Sequence, residues 1–167
     1  MTSSDREHAG QALVTLRARV DAHFEAAVAR SPGQFACRAG CFDCCRAGLS
    51  VFAIEADRIR GALGRLPPDV RAVVRAQASE DGREHCALLV DGRCSVYDER
   101  PILCRSHGLA VRPIVDQPEF DHCPLNYTSE TPPAASMLSL DAVNRPLSVM
   151  AAMWGGARVG IADLGRE

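Results

Sequence analysis

Four cysteines within nine residues, Cys37-Arg38-Ala39-Gly40-Cys41-Phe42-Asp43-Cys44-Cys45, constrain this chain more than any other stretch. Thiols packed so densely add little apolar volume, whereas thiolate is a strong donor for soft metals such as zinc, copper(I) and iron–sulfur iron. Cys86, Cys94, Cys104 and Cys123 raise the total to eight. All eight are therefore candidate metal ligands. The Cys-x3-Cys-x2-Cys spacing puts three thiolates on one tight loop, as a [4Fe–4S] cluster requires. An iron–sulfur cluster is the leading expectation, with one or two closed four-cysteine zinc sites as the alternative. Neighbouring Cys44 and Cys45 point their side chains differently, so they are not expected to share one mononuclear ion.

The same spacing marks radical enzymes that cleave S-adenosylmethionine. Those enzymes wrap the loop in a large partial barrel of strands and helices. A chain of 167 residues is too short for that barrel, and its N-terminal half carries helical rather than βα patterning. It suits one domain, residues 1–167, with the metal-binding region at about 35–125.

Composition removes other classes. All 19 basic residues are Arg, so no Schiff-base or P-loop lysine exists. The net charge of -2 offers nothing to attract nucleic acid or an anionic membrane. The polar start, Met1 to His8, lacks a secretory apolar run, and no stretch is apolar enough for a membrane span. A cytoplasmic location is the resulting expectation, where cysteines serve metals more than disulfides. No Ser-His-Asp elbow, phosphate loop or paired-carboxylate motif occurs. The charged residues Glu55 and Asp57 read as an outward helix face.

Leu13, Leu16, Val20, Phe24 and Val28 recur at helical steps and predict a helix from Gln11 to Arg30, with Arg17, Arg19, Asp21 and Glu25 on its polar side. A second helix is expected over Ile54–Leu66, and a third over Asp69–Ser79 behind Pro67-Pro68. Asp91-Gly92 between two apolar runs signals a tight hairpin that sets Val90 opposite Arg93 and Leu89 opposite Cys94, with Cys86 starting the first strand. Asp98 is placed to cap a short helix carrying Cys104. An extended Leu109–Val115, a proline-rich passage, a helix Leu140–Trp154 bent or begun at Pro146, and a closing strand Arg158–Leu164 complete the chain. The class is α+β, mostly helical, with one small hairpin beside the cysteine cluster.

Arg38, Arg46, Arg93 and Arg105 each adjoin a cysteine and could offset thiolate charge. Arg105, next to Cys104, is the residue expected to support a bound cofactor without ligating it. His85, His107 and His122 lie near cysteines and suit hydrogen bonding to ligands better than ligation. His8 and His23 read as solvent-facing.

The run Cys37-x3-Cys41-x2-Cys44-Cys45, then Cys86 to Asp91-Gly92-x-Cys94-Ser95-Val96-Tyr97, then Arg100-Pro101-x-x-Cys104-Arg105, resembles the YkgJ-type cysteine-cluster family, the CxxCxxCC type of zinc- or iron-chelating domain. The resemblance implies metal chelation by eight cysteines over roughly residues 35 to 125. Some members are described as flagellin N-methylase-like or as iron–sulfur oxidoreductases. His107 departs from the aromatic and proline that often follow the Cys-Arg pair. The expected function is a cysteine-cluster metal protein with a redox, sensing or methyl-transfer-related role. A structural-zinc module that meets a protein partner, or a thiol-based metal carrier, is the alternative.

Overall fold

Thr2 starts the first helix earlier than apolar spacing indicates. Its side chain accepts the Asp5 N–H at 3.1 Å while the Asp5 carboxylate accepts the Thr2 N–H at 2.8 Å, a reciprocal cap. In the computed structural model, which describes residues 2–113 and 119–167, that helix is α1 (Ser3–Arg30). In chain order follow β1 (Ser50–Val51), α2 (Ala53–Gly64), α3 (Pro68–Ala78), β2 (Leu89–Val90), β3 (Arg93–Cys94), α4 (Ile102–Ser106), β4 (Ala110–Arg112), β5 (Met137–Ser139), α5 (Leu140–Trp154), β6 (Val159–Gly160) and α6 (Ile161–Arg166). Short 3-10 turns occupy Tyr97–Glu99 and Ala134–Ser136. The class is α+β and mostly helical, as the sequence implies.

These elements form two compact units, Met1–Arg38 with Ile102–Met153, and Ala39–Pro101 with Trp154–Glu167. In the first unit, α1 buries Ala9, Leu13, Leu16, Val20 and Ala27, and packs against α4 and the Ala134–Ser136 turn. Strand β4 pairs in parallel with β5, setting Ala110, Val111 and Arg112 opposite Met137, Leu138 and Ser139. Helix α5 runs unbroken through Pro146, which sits within it rather than at its start. Val115 and Pro118 fall outside the described residues, so only Ala110–Arg112 of the expected extended segment is seen as strand.

The second unit is organised by an apolar cluster of Val51, Ala56, Ile59, Ala62, Leu63, Val74, Leu88, Val96, Ile161 and Leu164. Helices α2 and α3 both pack on α6. Ion pairing adds to this: Arg60 meets Glu167 at 2.7 Å, and Arg58 meets Glu99 at 2.8 Å. Strands β1 and β6 pair antiparallel.

Several expectations need correcting. The closing strand is only Val159–Gly160; from Ile161 the chain is helical, because Ile161 and Leu164, three residues apart, both turn into the apolar cluster. Asp98 stands ahead of the helix bearing Cys104, outside α4 itself. It lies inside the 3-10 turn Tyr97–Glu99, and extended Arg100 before Pro101 separates that turn from α4. Arg17 and Glu55, read as outward charges, are 9% and 6% exposed. Val28, read as part of the buried stripe, is exposed. His23 is half-buried, with Nε2 at 3.3 Å from the Ser136 carbonyl.

Candidate metal centre

The second unit holds Cys41, Cys44, Cys45, Cys86 and Cys94. The hairpin that carries Cys94 has the register its sequence predicts, Leu89 opposite Cys94 and Val90 opposite Arg93. Asp91 and Gly92 both take left-handed backbone, φ 49° and 72°, as this tight turn requires. Cys86 does not begin the strand. The Leu89 N–H bonds the Cys86 carbonyl at 3.1 Å, closing a turn that swings Cys86 out of the ladder.

That turn delivers Cys86 to the cysteine loop. The Cys86 N–H donates to the Cys45 carbonyl at 2.8 Å, Arg46 and His85 form an antiparallel bridge, and the Ala47 N–H donates to the Glu84 carbonyl at 2.9 Å. Phe42 fixes the other end of the loop. Its ring meets His85 edge-on at 5.5 Å, and it packs over the hairpin tip, where a Cβ on Gly92 would lie 3.7 Å away. Two sequence-distant stretches are thus clamped together by backbone bonds and one aromatic ring.

Within this frame the thiols are arranged as pairs. The Cys44 side chain hydrogen-bonds Cys45, which raises the Cys44 thiol pKa well above its ordinary value, with burial and the Cys45 charge adding to the effect. Cys86 and Cys94 are partly buried against the apolar cluster, and burial pushes both thiols up. Metal uptake at thiols held protonated must expel their protons. The cations that oppose this are not those next to the cysteines in sequence: Arg100 acts on Cys44 and Cys94, and Arg83 on Cys86. Arg100 lies over the Tyr97 ring at 3.6 Å, and Arg83 donates to the His85 carbonyl at 3.1 Å. Sequence reasoning missed both. Arg100 lies in the Arg100-Pro101 motif, but no cysteine adjoins it in the sequence.

The first unit holds Cys37, Cys104 and Cys123. Cys104 lies on α4 as expected. Arg105 is 8% exposed and meets Asp21 of α1 at 2.5 Å. Asn126, fully buried and absent from the sequence-level candidates, donates to Cys37 Sγ at 3.4 Å. The Cys123 carbonyl accepts the Asn126 N–H, and His122 Nδ1 lies 2.9 Å from the same carbonyl. Rings of Phe24, Phe35, Tyr127, His122 and Phe120 follow one another at centroid spacings between 5.0 and 6.0 Å. Burial lowers the His107 pKa, partly offset by Asp121.

Do these residues fit a metal? The donor chemistry does: all eight cysteines are thiols outside any disulfide. A buried polar atom also lacks a partner at the cluster, for His85 Nδ1 has no hydrogen bond among the described residues. Cys86 and His85 line a cleft of about 230 Å³ that also touches Arg46, Gln77, Arg83 and Arg166. Yet no three His, Cys, Asp or Glu side chains among the described residues converge as a ready-made cage. Cys44 is paired with Cys45 and Cys86 with Cys94, and a metal in the second unit would have to draw those pairs together.

No helix among the described residues is long and apolar enough to cross a membrane. Neither a curated protein nor a solved structure matches the chain. A family model does match over residues 36–125, taking in all eight cysteines, the loop clamped by Phe42 and the Asp91-Gly92 hairpin. On that match the chain belongs to the CxxCxxCC family, described as a putative zinc- or iron-chelating domain.

Proposed function

We propose that this protein binds iron through its cysteines as an iron–sulfur cluster and uses it in electron transfer or sensing. Cys41, Cys44, Cys86 and Cys94 are its principal ligands. The observation that carries this reading is the pairing of thiols without convergence. Mononuclear zinc needs four donors about 2.0–2.3 Å from one point. A cluster spreads its ligands over several iron atoms and so tolerates donors gathered in separate pairs. When bound, the cluster would supply one-electron chemistry. The chain would supply an apolar wall behind Cys86 and Cys94, which controls solvent access and therefore potential, and the Arg100 and Arg83 charges that favour thiolate. Cys45 is a further thiol of that site; in the first unit, Cys37, Cys104 and Cys123 are metal-binding thiols in their own right, with Arg105 as a supporting cation there.

One observation favours zinc instead. Cys44 and Cys45 already lie within sulfur hydrogen-bonding reach, the spacing of two thiolates on a single ion. In that case the protein is a structural-zinc module with a protein partner, or a carrier that releases its ion. Anaerobic purification decides between them. Broad absorption near 400 nm with iron and acid-labile sulfide in the metal analysis supports the cluster. A colourless protein containing stoichiometric zinc overturns it.

A further inference from the structure

We infer that Asn126 is a positioning residue for metal binding in the first unit: its side-chain amide holds Cys37 Sγ in place as a ligand and donates a hydrogen bond to that sulfur. The inference rests on the reading of Cys37 as a metal-binding thiol.

Cys37 is exposed and lies on a segment with no regular secondary structure. A side chain distant in sequence reaches its sulfur. Asn126 does so from 89 residues away. The amide is fully buried and bonds three neighbours. Oδ1 accepts the Ala36 N–H at 2.8 Å, while Nδ2 donates to the Gly108 carbonyl at 2.7 Å and to Cys37 Sγ at 3.4 Å. Because Ala36 precedes Cys37, the amide grips both the backbone before the thiol and the thiol itself.

Two further features mark this as a built cradle. Gly108 leaves room for the sulfur: a Cβ there would come within 2.7 Å of Cys37 Sγ, and the backbone at φ +101° disfavours any side chain. Tyr127, next to Asn126, is a non-glycine residue at φ 52°, and its N–H bonds the Gln34 carbonyl at 2.8 Å. Strained backbone held this way is found where surrounding structure has a geometry to keep. The Asn126 N–H also bonds the Cys123 carbonyl at 2.9 Å. One residue thus connects the backbone of one candidate ligand to the sulfur of another.

A sulfur bound to metal still accepts hydrogen bonds, and such donors orient the ligand and tune the metal. Asn126→Asp keeps the shape and the acceptor for Ala36 but removes both N–H donors. Asn126→Ala removes the whole grip.

The test is cobalt(II) titration of the full-length apoprotein, read by the thiolate-to-cobalt charge-transfer band and by competition with zinc. Both Asn126 variants are expected to bind about 10- to 100-fold more weakly. Their band should fall to that of Cys37→Ser, and Asn126→Ala added to Cys37→Ser should cost nothing further. If Cys37→Ser weakens binding while the Asn126 variants match the parent, the inference is overturned and the ligand reading stands. The inference also falls if the Asn126 loss persists in the Cys37→Ser background, for the role is then structural only. Parental binding by Cys37→Ser removes Cys37 from the ligand set and the inference with it. A measurement on the unmutated protein covers variants that fail to fold. Loaded with cadmium-113, it should show scalar coupling between the metal and an Asn126 side-chain amide proton. Absence of that coupling overturns the inference.

Discussion

The two groups of cysteines are held by opposite means. Cys86 and Cys94 are backed by apolar side chains, and their position follows from a hairpin and a turn that are local in sequence. Cys37 is exposed, and a buried amide from a distant loop bonds its sulfur. Apolar backing excludes water and stabilises the protonated thiol, whereas amide donation favours thiolate and sets a direction. The difference teaches that an uninterrupted string of thiols in a sequence need not be one physical environment. Cys37 and Cys41 are four residues apart in the motif yet belong to different compact units.

Metal removal should break this comparison most visibly. If the paired thiols of the second unit are drawn together by metal, binding energy there is folding energy. At a thousandfold excess of metal over its dissociation constant the stabilisation is about 4 kcal/mol, equivalent to roughly 8–16 °C in melting temperature for a chain of this size. Calorimetry of apo and loaded protein measures it, and hydrogen exchange locates it. The Cys86, Leu89 and Ser95 amides should lose protection on stripping while those of α1 change little. Equal melting temperatures would end the claim. Cys86→Ser should lower metal content further than Cys123→Ser, and the reverse order would transfer the main site to the first unit.

Arg105 provides the next largest effect. Arg105→Met removes a buried guanidinium from Asp21, which is 40% exposed and can regain water. The expected loss is about 1.5–3 kcal/mol. If the ion pair is all that Arg105 supplies, Asp21→Asn reproduces the phenotype in chemical denaturation. If Arg105 also supports the metal, only Arg105→Met shifts acid-driven metal release to higher pH.

Gly92→Ala tests the hairpin. Both turn residues are left-handed, and a Cβ at this position imposes about 1–2 kcal/mol. Space is not the obstacle, since the Phe42 ring lies 3.7 Å from that Cβ. A urea-melt shift together with weaker metal binding would show that the turn sets Cys94; a stability loss with unchanged metal affinity would show that it does not.

The smallest effect concerns pH. The hydrogen bond from Arg60 holds the Glu167 carboxyl below its ordinary value. A carboxylate whose folded pKa is depressed adds stability above its unfolded pKa, and that stability is lost as pH falls through the folded value. The Glu167 side chain is 50% exposed, so the contribution is a few tenths of a kcal/mol at most. Glu167→Gln should flatten the acid limb of stability slightly, leaving metal content unchanged. A metal-binding defect in that variant would couple the α2–α6 contact to the thiols.

Short-range stereochemistry made part of this molecule legible in its sequence. Asp91-Gly92 dictated the turn and thereby the pairing of Leu89 with Cys94, because only one hairpin geometry suits two left-handed residues. Pro67-Pro68 and helical periodicity placed α2 and α3 within two residues of their observed limits. The thiol count identified the donor chemistry. Tertiary structure alone decided which groups surround each thiol. Arg100 rather than Arg46 or Arg93 is the cation acting on Cys94, Glu55 turns inward, β4 finds β5 in parallel, and Asn126 reaches Cys37 across 89 residues. Spacing along a chain fixes neighbours only within a turn or a hairpin. A buried amide or guanidinium finds its partner through the path of the whole backbone, where the cost of leaving it unbonded selects among contacts that no local pattern encodes.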